Sequence, residues 1–186
     1  MATVKTPATF DDLYHVPDDG CSYELVNGEI VKMSPTGEMP SDIAFQIATA
    51  LGLYARAMGR GRARPDGIAY TVDLPRRRSF SPDASFVWSY GVANMKFARG
   101  APVFAAEVRS EGDYGPRADR AYMAKRADYF AAGTEVVWDV DPLARTVTKY
   151  TRAEPETPVA YHAGDEADAE PALPGWRVAV NSLFGA

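Results

Sequence analysis

Ser81-Pro-Asp-Ala-Ser-Phe-Val-Trp88 and, one irregular link later, Pro102-Val-Phe-Ala-Ala-Glu-Val-Arg109 form the stretch on which the fold turns. Both are short apolar runs of strand length bounded by turn residues. Each carries one carboxylate, Asp83 or Glu107, where a half-buried strand favours an apolar side chain. Strand side chains alternate, so Val103, Ala105, Glu107 and Arg109 share one face and Phe104, Ala106 and Val108 the other. One Asp, one Glu and a cation on neighbouring strands is a common way to build a Mg²⁺-dependent phosphodiesterase site. A structural ion pair at a sheet edge is the rival reading, and spacing alone does not separate the two.

N-terminal to this stretch, residues 22–33 read as a β-hairpin. Asn27-Gly28 supplies the two positive-φ positions of a type I′ turn. A two-residue loop pairs Val26 with Glu29, Leu25 with Ile30 and Glu24 with Val31. Glu24 then stands among apolar neighbours, either as a functional carboxylate or on an exposed edge. Before the hairpin, Thr9 caps a short helix over 9–15 that ends at Pro17 to Gly20. After it, a loop through Ser34 leads to a helix from Ser41, its expected N-cap, to Met58. Ile43, Ile47, Leu51, Tyr54 and Met58 give that helix one apolar stripe for core packing. Residues 68–74 read as a further strand, and the arginines at 60–64 and 76–78 as loop and helix-end charges.

C-terminal to the stretch, a helix is expected from about Arg117 to Ala132, ended by Gly133. Ala118, Ala121, Tyr122, Lys125, Tyr129 and Ala132 lie on one stripe with Lys125 at its centre. Lysine is rarely buried without a partner, so the stripe faces carboxylates or Lys125 reaches past its neighbours to solvent. A strand over 135–141 and a partner over 145–150 form a second hairpin. Residues 151–175 are acidic and Pro-rich, with one short strand near Val159. The Leu173–Phe184 end has few polar side chains and should dock on the body.

The 186 residues fit a single domain, 1–186, of ordinary globular composition. One cysteine, Cys21, forms no internal disulfide, and two distant histidines offer no zinc cluster. No run reaches transmembrane length and the N-terminus lacks a signal pattern, so a cytoplasmic protein without membrane contact is expected. The formal charge of −5 is unevenly spread. Residues 56–126 hold 14 basic and 7 acidic residues, a local surplus of +7 around Asp83 and Glu107. Phosphate binding wants such a surplus, although solvated arginines would look the same.

The chain also resembles the Uma-two family of restriction-endonuclease-like proteins, within the PD-(D/E)XK nuclease superfamily. Tyr23-Glu24-Leu25-Val26-Asn27-Gly28-Glu29, Pro35-Thr36-Gly37, Pro82-Asp83, Glu107-Val108 with Ser110, Lys125 with Tyr129, Trp138 with Asp141-Pro142, and Leu173-Pro174-Gly175-Trp176 carry the resemblance in their order and spacing. It implies an α/β fold: a restriction-endonuclease-like core, a mixed central β-sheet flanked by α-helices, with an N-terminal β-hairpin and extra C-terminal strands. It further implies that Asp83 and Glu107 hold Mg²⁺ or Mn²⁺, with Glu24 as the additional acid. Lys125 would orient the water or phosphate, positioned by Tyr129. Arg109 stands where the motif usually has lysine. Arginine stays protonated and cannot act as a base, but it can grip a phosphate. Met39-Pro40-Ser41 stands where relatives often carry histidine. The expected function is a metal-dependent endonuclease hydrolysing phosphodiester bonds of DNA, acting as a homodimer. The alternatives are a catalytically silent member of the fold that binds nucleic acid or protein, and an assembly subunit with no nucleic acid at all.

Overall fold

The computed structural model describes residues 6–19, 21–33, 35–89 and 95–185. In chain order a short helix α1 (Phe10–Tyr14) precedes the hairpin β1 (Tyr23–Val26) and β2 (Glu29–Lys32), the long helix α2 (Glu38–Met58) and strand β3 (Arg62–Pro65). The short strands β4 (Tyr70–Thr71) and β5 (Ser79–Phe80) lead to β6 (Ala84–Val87), β7 (Ala98–Arg99) and β8 (Phe104–Val108). Helix α3 (Pro116–Ala132) crosses to β9 (Val136–Asp141). Strands β10 (Thr146–Thr151), β11 (Val159–Tyr161), β12 (Glu166–Asp168) and β13 (Arg177–Ala179) and helix α4 (Val180–Leu183) complete the chain.

Six strands form the central sheet in the order β11-β10-β9-β8-β6-β3. Only β8 and β9 run parallel, joined through α3, which makes the sheet mixed. The alternation read in 103–109 decides how the layers form. Phe104, Ala106 and Val108, with Val136, Trp138 and Val140 of β9, pack under α2, α4 and the C-terminal segment. Ala105 and Val137 pack with Tyr129 of α3, Phe80 and Tyr70 on the other face. That second face is apolar only at one end. Two residues further along, Glu107 pairs in register with Asp139, so the sheet presents two acids under α3.

The hairpin has the expected register, with Asn27 at φ 51° and Gly28 at φ 73°. Thr9 caps α1 in a reciprocal capping box with Asp12. Helix α2 starts four residues earlier than expected, with Gly37 at the N-cap rather than Ser41. Pro40 falls in its first turn, where the missing N–H costs nothing. The expected strand over 68–74 shrinks to two residues, because Val72 and Leu74 instead bond back to Arg78 and Arg77 in a turn.

Residues 62–65, read as loop and helix-end charge, form the edge strand β3 against β6. Gly61 makes the reversal from α2 possible. Its φ is 80°, and a Cβ there would lie 2.5 Å from the Phe86 ring. The acidic 151–175 segment is also structured. Ala167, Ala169, Ala172 and Leu173 are buried, and Trp176 packs edge-on to Phe104 and tilted against Trp138. Gly20, Ser34 and residues 90–94 of the link lie outside the described residues.

Candidate active site

Glu107 lies on β8 beneath α3, and two side chains of α3 fix its two oxygens. Lys125 Nζ donates to Oε2 at 2.7 Å and Tyr129 OH donates to Oε1 at 2.6 Å. The residues sit one helical turn apart, which is why both reach the same carboxylate. Tyr129 is fully buried and its ring stacks on Phe80 at 4.0 Å. The sequence reading had Tyr129 positioning Lys125; its hydroxyl instead holds Glu107.

Glu24 arrives from the N-terminal hairpin, which is laid against the 77–79 segment. The Leu25 amide donates to Ser79 Oγ at 2.7 Å, and the Arg78 amide to the Leu25 carbonyl at 2.8 Å. This brings Glu24 Oε1 within 3.1 Å of Lys125 Nζ and 3.0 Å of the Ser81 amide. Arg77, itself 7% exposed, pairs with Glu24 Oε2 and through Nε with Asp128 of α3 at 2.8 Å. Lys125 is therefore clamped between the two glutamates rather than reaching to solvent.

Asp83 immediately precedes β6. Its Oδ2 accepts the Val108 amide at 2.6 Å, locking the carboxylate to the end of β8. Burial, then the charge of Glu107, push the Asp83 carboxyl up to about 7, against the Val108 amide and Lys125. The charges that act on Asp83 are Glu107, Lys125 and, least, Asp66. Burial also raises Glu107, more than Lys125 lowers it. Glu24 is the opposite case. Burial raises it, but Lys125 and Arg77 outweigh burial and leave it below the usual range. The lysine remains charged, because Glu107 and Glu24 overcome the effect of its burial.

Arg109 lies just beyond β8 and turns to Asp139, the register neighbour of Glu107. Its Nε and one terminal nitrogen donate to the two Asp139 oxygens, each at 2.8 Å. The other terminal nitrogen donates to Asp119 at 2.9 Å and to the Asp113 carbonyl at 3.2 Å. Four of its five N–H groups are engaged inside the protein. The Tyr122 ring lies 4.9 Å from the guanidinium. Asp139 and Arg77 were not singled out from the sequence. Asp139 had a signal, as the lone acid inside Val136-Val137-Trp138-Asp139-Val140. Arg77 had none beyond its basic neighbours.

The residues suit a divalent cation. Around Lys125 the carboxylates of Glu24, Asp83, Glu107 and Asp128 face two cations, Lys125 and Arg77, which leaves two negative charges unbalanced. Burial is the main reason that Asp83 and Glu107 are shifted upward, and their like-charged neighbours add to it. The donors are hard oxygens, as Mg²⁺ or Mn²⁺ requires. Among the described residues no three acids, histidines or cysteines gather as a ligand cage, and both oxygens of Glu24 and both of Glu107 already accept protein hydrogen bonds, so a cation would use their remaining lone pairs. A pair of carboxylates is nonetheless the usual protein share of a Mg²⁺ site, with water and phosphate completing it.

A mixed sheet between helices, with acids on adjacent strands and a lysine from the crossover helix, defines the restriction-endonuclease-like class. A family model described as "Putative restriction endonuclease" matches residues 7–181, and the chain belongs to that family, Uma2. A crystal structure of "a putative nuclease belonging to DUF820" from Anabaena variabilis ATCC 29413 shares the fold. Its TM-score is 0.74 at 18% identity, covering 96% of this chain and 98% of that one. No curated protein matches the chain.

Proposed function

We propose that the chain is a Mg²⁺- or Mn²⁺-dependent endonuclease of DNA, with Asp83 and Glu107 as the metal ligands. The observation that carries this reading is Lys125 clamped between Glu107 and Glu24 beside a third carboxylate, Asp83, that forms no ion pair of its own among the described residues. A bound cation would supply Lewis-acid polarisation of the scissile phosphate and a more acidic water.

The protein's own groups do the rest. Tyr129 fixes one oxygen of the Glu107 carboxylate from within the core. Glu24, fixed by Arg77 and the Ser81 amide, holds the Lys125 ammonium beside Glu107. That ammonium donates to the attacking water or to a non-bridging phosphate oxygen, and it offsets charge developing at phosphorus. Glu24 supports Lys125 rather than serving as a third ligand. Arg109 has one N–H left for a phosphate, so its main role is to fix Asp139 beside Glu107. The basic 56–126 segment attracts the DNA backbone.

The test is cleavage of supercoiled plasmid with Mg²⁺ or Mn²⁺, comparing wild type, Asp83→Ala and chelator controls. Activity confined to the metal-loaded wild type is expected. Equal residual activity in wild type and Asp83→Ala would overturn the assignment. A second reading rests on Arg109, whose engagement by Asp139 and Asp119 leaves the motif-lysine position without a free amine. On that reading the chain binds DNA without cutting it, and salt-sensitive filter binding survives Asp83→Ala while no cleavage appears.

A further inference from the structure

The long helix α2 buries one side, Ile43, Ala44, Ile47 and Leu51, against the sheet. Its other side is not a usual solvated face. Phe45 is 65% exposed and Leu53 59% exposed, with exposed Thr49 between them. Asp42 and Arg56 are exposed at the two ends of this stripe and form no ion pair among the described residues.

The order of residues is symmetric about Thr49. Phe45 and Leu53 lie four residues to either side, and Asp42 and Arg56 lie seven. At about 100° per residue all five fall within roughly 40° of the Thr49 direction, so they form one straight stripe. We infer that this stripe is a homodimer interface, in which α2 packs antiparallel on α2 of a second copy about a two-fold axis through Thr49.

The occupant follows from complementarity. A two-fold contact must satisfy the same patch twice. Here it sets Phe45 against Leu53 of the second copy, and Asp42 against Arg56, each pair occurring twice. The flanking positions are compatible, since Gln46 meets Gly52 and Ser41 meets Ala57. No charge on the stripe meets its like. Thr49 and Gly52 are small, and a Cβ on Gly52 would have nothing within 4 Å, so the two helices can approach closely. Antiparallel helices also set opposite dipole ends side by side. Because α2 covers the sheet face opposite Glu107, both candidate sites lie outside this contact.

Analytical ultracentrifugation across a concentration series tests this without DNA or metal, so its outcome is independent of the nuclease reading. Wild type should sediment as a dimer. Phe45→Glu should be monomeric with an unchanged far-UV circular dichroism spectrum. Asp42→Arg and Arg56→Asp should each weaken the dimer at least about tenfold, by setting like charges together twice. The double variant Asp42→Arg/Arg56→Asp should recover most of the lost affinity, because the swap restores both pairs. A monomeric wild type, a dimer indifferent to Phe45→Glu, or a double variant no tighter than the single ones would overturn the proposal.

Discussion

Arg109 grips Asp139 with two parallel hydrogen bonds of 2.8 Å, one to each carboxylate oxygen. Arg109 directly follows β8, and Asp139 lies on the parallel neighbour β9, where it is the register partner of Glu107. The position that usually supplies a lysine in this superfamily is here an anchor. Only a planar fork can bond both oxygens of one carboxylate at once.

Arg109→Lys should therefore destabilise the fold even though it restores the motif residue. A lysine loses the paired geometry and the contacts to Asp119 and the Asp113 carbonyl. A loss of about 1–3 kcal/mol is expected, read from urea denaturation midpoints. An unchanged midpoint would mean that the pair contributes nothing net.

Lys125→Met keeps the length of the side chain and removes its charge. Glu107 and Glu24 would each lose their shared cation while buried, at a cost of about 3–5 kcal/mol. On the proposed function, plasmid cleavage should fall by roughly 10²–10³, the effect of losing one charge-stabilising donor. A cleavage rate within about threefold of wild type would exclude Lys125 from the chemistry.

Asp83 predicts a pH dependence of stability in the presence of chelator. Its ordinary value is 3.8 and its folded carboxyl is pushed up to about 7. Between those values the folded state holds a proton that the unfolded chain has released. Its contribution to stability is thus largest below about pH 4 and falls as pH rises toward 7, by no more than about 4 kcal/mol. Denaturation midpoints of wild type and Asp83→Asn should converge at low pH and separate toward pH 7, with wild type falling below the variant. Parallel curves would show that Asp83 is not desolvated as placed.

Asp168→Ala tests the C-terminal extension. Asp168 receives Lys149 Nζ at 2.7 Å and Tyr161 OH at 2.8 Å, and Lys149 is 9% exposed. Removing the acid leaves a buried ammonium without its counter-charge. A loss of about 3 kcal/mol, and roughly 10 °C in Tm, is expected by differential scanning calorimetry. A shift under about 2 °C would indicate that Lys149 escapes to solvent.

The sequence by itself determined the local pieces and their faces. Asn27-Gly28 set the hairpin register, Gly133 ended α3, and alternation in 103–109 separated Glu107 from the core side. These are properties of a few consecutive residues, where backbone sterics and side-chain periodicity act over short range. The pairing of Asp83 and Glu107 as neighbours, and Lys125 on their side, followed from those faces together with the family resemblance.

Tertiary structure alone decided the partners. Arg77 meets Glu24 across 53 residues, and Asp139 meets Arg109 across 30. Neither encounter is encoded in spacing, because each depends on how the hairpin docks and which strands lie side by side. The same reason turned Arg62–Pro65 from loop charge into an edge strand and gave the acidic tail a place on the core. A strand exists only where a neighbour accepts its hydrogen bonds, and a buried ion pair only where packing brings both charges to one spot.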